Sequence, residues 1–227
     1  MITNTNKKSS FYSLNTVNTN YPVGSFVFSH GLEYLIENNI ISNKQTLEKY
    51  LDYLFFHSHF KQDIIFINEI YIMKSINKIK IIKLLNLYLS LNCSEELITE
   101  SLNTGSSFYK ITNKIYNLKN MTHFLKNHEK PYCMMYALFS KILKQKHEEA
   151  LKGFIYATLN NLVSNYVKVK PAGQEEGQMI LKKIFLKFEK KISLMKQWSL
   201  SNLSTFSLYA DIASFKHERM YTRIYQS

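Results

Sequence analysis

The stretch His147-Glu-Glu-Ala-Leu-Lys-Gly-Phe-Ile-Tyr-Ala-Thr-Leu-Asn-Asn-Leu-Val-Ser-Asn-Tyr-Val167 carries the strongest helical signal in the chain. Ile155, Leu159, Leu162, Val163 and Tyr166 recur at intervals of three and four, so they share one face of a helix. The flanking segments follow the same rule. Downstream, Leu181, Ile184, Phe185, Phe188 and Ile192 line one face of a second long helix, with lysines opposite. Upstream, Pro131 suits the first position of a helix from Tyr132 to about Leu143.

Working outward, Ser42 or Asn43 opens a helix with Leu47, Leu51, Leu54 and Phe55 on one stripe. Ser29 is the expected N-cap of a helix from His30 to about Ile40. Asp63 to Ile76 is rich in β-branched Ile, but its neighbours are helical and the same state is assigned to it. Further helices are expected over Lys78–Leu91 and from Ser94 past Gly105 to Ile111. A glycine inside a helix costs about 1 kcal/mol relative to alanine, so Gly105 marks a close helix contact or a kink. Met121–Lys130 and Gln197–Ser207 are expected loops. The chain has only six glycines and three prolines, too few for a turn-rich all-β protein. The expectation is all-α: a single-domain bundle of about eight to ten helices over residues 20–227. A flexible arm is expected over residues 1–19, where Phe11, Tyr12, Leu14 and Val17 retain the means to dock locally.

Composition narrows the function classes. Of 227 residues 45% are hydrophobic, enough for a real core, and 20% are charged. The net charge is +12, which by itself points to an acidic partner. The abundance of Ile, Asn, Lys, Tyr and Phe is also the bias of AT-rich coding. Base readout favours arginine, and Arg219 and Arg223 are the chain's two arginines; no nucleic-acid partner is expected. Cys93 and Cys133 lack CxxC spacing and read as buried thiols in a reducing compartment. The N-terminal stretch has no apolar signal region. Apolar runs fall short of the roughly 18–20 residues a membrane span needs. A soluble, cytoplasmic protein without membrane association is expected.

Chemistry is sparse. Tyr21-Pro-Val-Gly-Ser-Phe-Val-Phe-Ser-His-Gly-Leu-Glu33 and Lys170-Pro-Ala-Gly-Gln-Glu-Glu-Gly-Gln178 both concentrate Gly and Pro before a helix, where backbone N–H groups bind anions. Neither has the Lys-Ser/Thr of a phosphate loop. His57-x-His59 would point to different faces of a helix, and no zinc spacing is present. Ser29 and His30 are adjacent, and no nucleophile elbow exists. His30 with Glu33, and His217 with Glu218, are the available acid–base pairs; they read as a helix-face pair and an exposed charge pair. No catalytic residue, metal site or directly bound cofactor is expected. The C-terminus stands apart: both arginines fall in the last nine residues, among Met220, Tyr221, Ile224 and Tyr225, types that suit an interface.

Three separated segments resemble one family. Tyr21–Glu33 is similar to P-x-G-[GSA]-[FY]-x-x-S-x-G-L-E, Pro171–Gln178 to P-L-[GS]-Q-x-x-G-Q, and Asp211–Ser227 to D-I-x-x-M-x-H-E-x-x-Y-x-R-L-F-x-S. The family is the urease accessory protein UreF, and order, spacing and length agree over residues 20–227. The resemblance implies an all-α, dimeric, non-catalytic chaperone. It would bridge the accessory protein UreD (UreH) and the GTPase UreG while nickel is inserted into apo-urease, the nickel being handled by the complex. Carried over by position, Phe26, Tyr221, Arg223, His217 and Glu218 become partner-binding residues, with a partner-binding tail at about 208–227. Pro22, Gly24, Gly31, Glu33, Pro171, Gly173, Gln174, Gly177 and Gln178 become structural motif positions. The chain departs from the pattern at Val27, Phe28, Ala172 and Phe215, and it has no Arg-rich helix before Gly105. The alternative is an all-α metallochaperone that binds nickel itself through His57, His59 or Cys133.

Overall fold

With so few helix breakers, side-chain caps begin some helices, as at Asn43 and Ser94, and left-handed residues end others, as at Asn117 after α6. The computed structural model describes residues 11–18, 21, 29–91, 94–170, 173–203, 208–220 and 224. The α-helices are α1 (residues 11–16), α2 (Leu32–Glu37), α3 (Lys44–His57), α4 (His59–Tyr71), α5 (Lys78–Leu91), α6 (Glu95–Tyr116), α7 (Lys119–Thr122), α8 (Tyr132–Ile142), α9 (His147–Val169), α10 (Gln174–Glu189), α11 (Ile192–Met195) and α12 (Leu208–Glu218). No strand occurs among the described residues. The expected all-α fold is thus present. Setting aside the one-turn helices α7 and α11 leaves ten among the described residues, within the expected range.

The helix starts show local chemistry at work. Asn43 opens α3 by accepting hydrogen bonds from Gln45 N and Thr46 N at 3.0 Å, while its own N–H donates to Thr46 Oγ1 at 3.1 Å. This reciprocal box satisfies donors that a helix N-terminus otherwise leaves unpaired. Ser94 caps α6. Pro131 stands just before α8 rather than at its first position. Ser58 separates α3 from α4, so His57 and His59 lie on different helices. Lys119–Thr122, which runs into the expected loop Met121–Lys130, and His123–Leu125 within it form helical turns, and Leu200–Asn202 in the second expected loop is a 3₁₀ turn.

The core is built around α8 and α4. Every residue of α8 from Cys133 to Ser140 is buried, as expected of a helix covered on all sides. It packs against α4, α6 and α9. Gly105 explains how closely α6 approaches: a Cβ there would lie 1.8 Å from the Lys130 carbonyl oxygen. Only a residue without a side chain permits that contact. The close packing expected of Gly105 is therefore what the structure shows. On the far side α10 lies along α9 and is linked to α3 by Lys183–Glu48 at 2.7 Å and by Lys187–Asp52.

The arm expected to be flexible is docked from residue 11. Tyr12 is fully buried, its hydroxyl 3.1 Å from Ser140 Oγ and 3.4 Å from the Tyr136 carbonyl. Tyr21 is buried too, hydrogen-bonded to Thr112 at 2.8 Å and packed on Phe108. Residues 1–10 and 19–20 lie outside the described residues.

Asn68 ties a distant corner together. Its amide donates to the Met195 and Trp198 carbonyls at 2.8 and 2.7 Å, and its oxygen lies 2.8 Å from His147 Nε2. His147 stacks on Tyr71 with ring centroids 4.6 Å apart. Burial, with Lys196 and Lys141 nearby, lowers its pKa to about 4. The ring is therefore neutral at pH 7, and its Nε2–H donates to Asn68.

Candidate partner-binding site

Two left-handed residues begin the site. His30 has φ 54° and Gly31 has φ 74°. This turn delays the start of α2 to Leu32, with Gly31 as its N-cap rather than the expected Ser29. Gly31 is required twice over: its φ disfavours a side chain, and a Cβ would meet the Ala213 Cβ at 2.8 Å. The turn sets Glu33 in the first turn of α2, fully buried and facing α12.

Glu33 there meets the C-terminal helix. Its Oε2 lies 2.9 Å from His217 Nε2, and its Oε1 accepts the Ile224 backbone N–H at 2.7 Å. The other ring nitrogen of His217, Nδ1, lies 3.1 Å from Glu96 Oε1 on α6. Glu96 Oε2 accepts from Ser214 at 2.7 Å, and Ser214 lies 3.0 Å from Ser94. Both neighbours of the imidazole are carboxylates, so both ring nitrogens donate and His217 is an imidazolium. Burial acts to lower its pKa, but hydrogen bonds and charges from Glu96 and Glu33 outweigh burial and raise it. A largely buried ion cluster thus joins α2, α6 and α12.

The expected acid–base pairs are corrected by this geometry. Glu33 pairs with His217, not His30. His30 pairs with Glu100, Nε2 to Oε1 at 2.9 Å. Glu218 is exposed and points away from the cluster that holds His217. The i,i+3 relation of His30 and Glu33 needs both residues in one helix, and His30 precedes α2. Adjacent helix residues such as His217 and Glu218 project about 100° apart.

The outer face of α12 is a feature that motif and pair spacing do not reveal. Its buried side consists of Ala210, Ala213, Ser214 and His217. Its outer side carries Tyr209, Ile212 and Phe215, exposed by 45, 46 and 43%, with Ile224 beyond at 68%. A helix of this amphipathicity presents its large apolar residues to the surroundings. The signal that marks it in the sequence is large residues at spacing three opposite small ones.

The other expected positions divide between described and undescribed segments. Phe26, Pro22, Gly24, Pro171, Tyr221 and Arg223 lie outside the described residues. Gly173 is the N-cap of α10 and Gln174 its first residue. Gly177 is buried at the α9 contact, where a Cβ would lie 2.7 Å from Val167. Gln178 is exposed. Glu175 and Glu176 fill the first turn of α10 and oppose any anion there.

For nickel, His57 is exposed while Cys133 is fully buried beside Asp63, its thiol pushed up by burial and by that carboxyl. His59 is stacked on His30, with centroids 5.2 Å apart. No group of three or more His, Cys, Asp or Glu able to hold a metal exists among the described residues. A cavity of about 70 Å³ is lined by His30, His59, Asp63, Glu100 and Thr104, room for about two waters. Burial raises the Asp63 carboxyl to about 6, against the hydrogen bond it receives from Tyr88. No helix among the described residues is long and apolar enough to cross a membrane.

Fold and site together define an all-α protein whose buried ionic cluster organises a helix rather than a reacting centre. The UreF family model matches residues 41–184. The chain is 25% identical to the urease accessory protein UreF of Ruegeria pomeroyi over 209 residues, covering 91% of each chain. It is 26% identical to that of Bacillus sp. (strain TB-90), covering 92% of this chain and 95% of that protein. With the protein of the same name from Sporosarcina pasteurii it shares 26% identity, over 86% of this chain and all of the relative. The chain belongs to the UreF family. It is an accessory protein of urease and not an enzyme.

Proposed function

We propose that this chain acts as a docking bridge in urease maturation. It binds UreD (UreH) through the C-terminal segment and recruits the UreG GTPase, and the assembly inserts nickel into apo-urease. In this reading nickel is cargo of the complex, the chain holds no cofactor itself, and it works as a homodimer in the cytoplasm.

The observation that supports this reading is the outward apolar stripe of α12, Tyr209, Ile212 and Phe215, held on a small, polar inner face. Apolar side chains arranged so gain burial only when a partner covers them. The arginine and tyrosine that follow, Arg223 and Tyr221, supply directional bonds of the kind that dominate interface energetics. Phe26 is assigned the part of an apolar anchor in recruiting UreG.

The test is co-purification of the chain with UreD and UreG. Arg223→Ala is expected to weaken capture of UreG and lower urease activation with helical content unchanged. Ile212→Asp combined with Phe215→Asp is expected to weaken capture of UreD. Unchanged capture and activation in both variants would remove the docking role.

A further inference from the structure

Between the end of α3, the start of α4 and the segment after α10 lies an open recess of about 440 Å³, lined by Asp52, Phe56, His57, Lys61, Lys191 and Trp198. Its apolar part is a corner of two half-buried rings. Phe56 and Trp198 stand at 90°, with centroids 5.7 Å apart. Two ammoniums rest on these rings. Lys191 Nζ lies 4.3 Å from the Phe56 ring centroid, and Lys61 Nζ 5.8 Å from that of Trp198. Ring faces attract cations, so both charges are held at the recess instead of ranging through solvent. Neither lysine forms an ion pair among the described residues. The carboxylates of the surrounding helices are bound elsewhere. Glu48 and Asp52 on α3 pair with Lys183 and Lys187, Asp63 accepts from Tyr88, Glu69 pairs with Lys80, and Glu189 pairs with Lys152. Glu175 and Glu176 stand at the opposite end of α10. Asp52 alone among these carboxylates lines the recess, and Lys187 offsets its charge. Two positive charges thus stand uncompensated beside an aromatic corner.

We propose that this recess docks an acidic peptide segment of a partner protein, whose carboxylates pair with Lys61 and Lys191 while an apolar side chain between them enters the corner of Phe56 and Trp198. Charge complementarity fixes the sign of the partner. The aromatic corner separates a peptide that carries an apolar side chain from a simple anion, which would gain nothing from the rings. Tryptophan is also a residue type that dominates interface energetics when a partner covers it. None of the residues of the α12 stripe lines this recess, so the proposal does not rest on the docking role proposed above.

Trp198 is the chain's one tryptophan, so its fluorescence reports occupation of the recess. Titration of the full chain at low ionic strength with the pentapeptide acetyl-Glu-Glu-Leu-Glu-Glu-amide is expected to give a saturable change. Lys61→Met combined with Lys191→Met keeps apolar stems against the rings. It is expected to weaken binding by about tenfold, the scale of two lost ion pairs at a partly exposed site. Calorimetric titration gives the same comparison without relying on the fluorophore's surroundings. Salt at about 0.5 M is expected to weaken the parent complex as well. A peptide with Gly in place of Leu is expected to bind less tightly, and one with Gln in place of every Glu is expected not to bind. No saturable change with the acidic peptide, undiminished binding in the double variant, or an equal response to the Gln peptide or to inorganic phosphate at the same concentration overturns the site.

Discussion

At the residue scale, two histidines of the same type do opposite things because their neighbours differ. His217 sits between carboxylates and keeps its proton. His147 is half-buried against Tyr71 with lysines nearby and stays neutral, with a single ring N–H. The unfolded chain takes up a proton at His147 near 6.5, whereas the folded chain does so only near 4. Stability contributed by the neutral ring is therefore complete above 6.5 and falls as pH drops towards 4. His59, lowered by burial and by His30, adds in the same direction. Asp63, raised to about 6 by burial, opposes it below that pH. His147→Gln keeps an N–H for Asn68 and cannot charge. The expected outcome is a urea midpoint that declines less between pH 7 and pH 4.5 in the variant than in the parent chain. Equal declines would show that the proton uptake occurs elsewhere.

At the scale of elements, α6 and α8 meet through backbone at Gly105. Overpacked sites usually cost about 1–3 kcal/mol because side chains can shift. Here the obstacle is the Lys130 carbonyl, which moves only with the chain that leads into α8. Gly105→Ala is expected to destabilise by about 3 kcal/mol or more, despite alanine's better helix propensity. Equilibrium denaturation measures this, and a neutral or stabilising result would show that α6 can slide. This contact is legible in the sequence, since a glycine in a helical pattern demands a reason. The Asn43 cap and the α9 stripe are equally legible, because each depends on residues a few positions apart. The start of α2 is not. Ser29 has the chemistry of a cap, but the two left-handed residues that follow it are stabilised by tertiary contacts: Tyr50 donates to the His30 carbonyl at 2.8 Å, and Ala213 lies against Gly31.

At the scale of the molecule, the long-range pairings are beyond local reading. Glu33 and His217 are 184 residues apart, and nothing in the sequence around either names the other. The family motifs mark both positions without showing that they bind each other. Within the N-terminal arm, the local docking allowed for Tyr12 is seen over residues 11–18, but its seat is equally beyond local reading. Its polar composition suits a solvated tail, yet one aromatic residue reaches a hydroxyl on the central helix. Tyr12→Ala is expected to cost about 3–5 kcal/mol, in the range of large aromatic truncations in a core. Urea unfolding checks it, and a loss below about 1 kcal/mol would mean that α1 is dispensable.

The same contact sets an order of events during synthesis. Tyr12 leaves the ribosome ahead of its seat: Tyr136 and Ser140, which receive it, come 124 and 128 residues later. At translation speeds of 5–20 residues per second the wait is roughly 6 to 25 seconds. Through that interval α1 has no seat. Tyr12 is thus made well before the residues that bury it, and until they emerge the growing chain carries an unburied aromatic residue in α1.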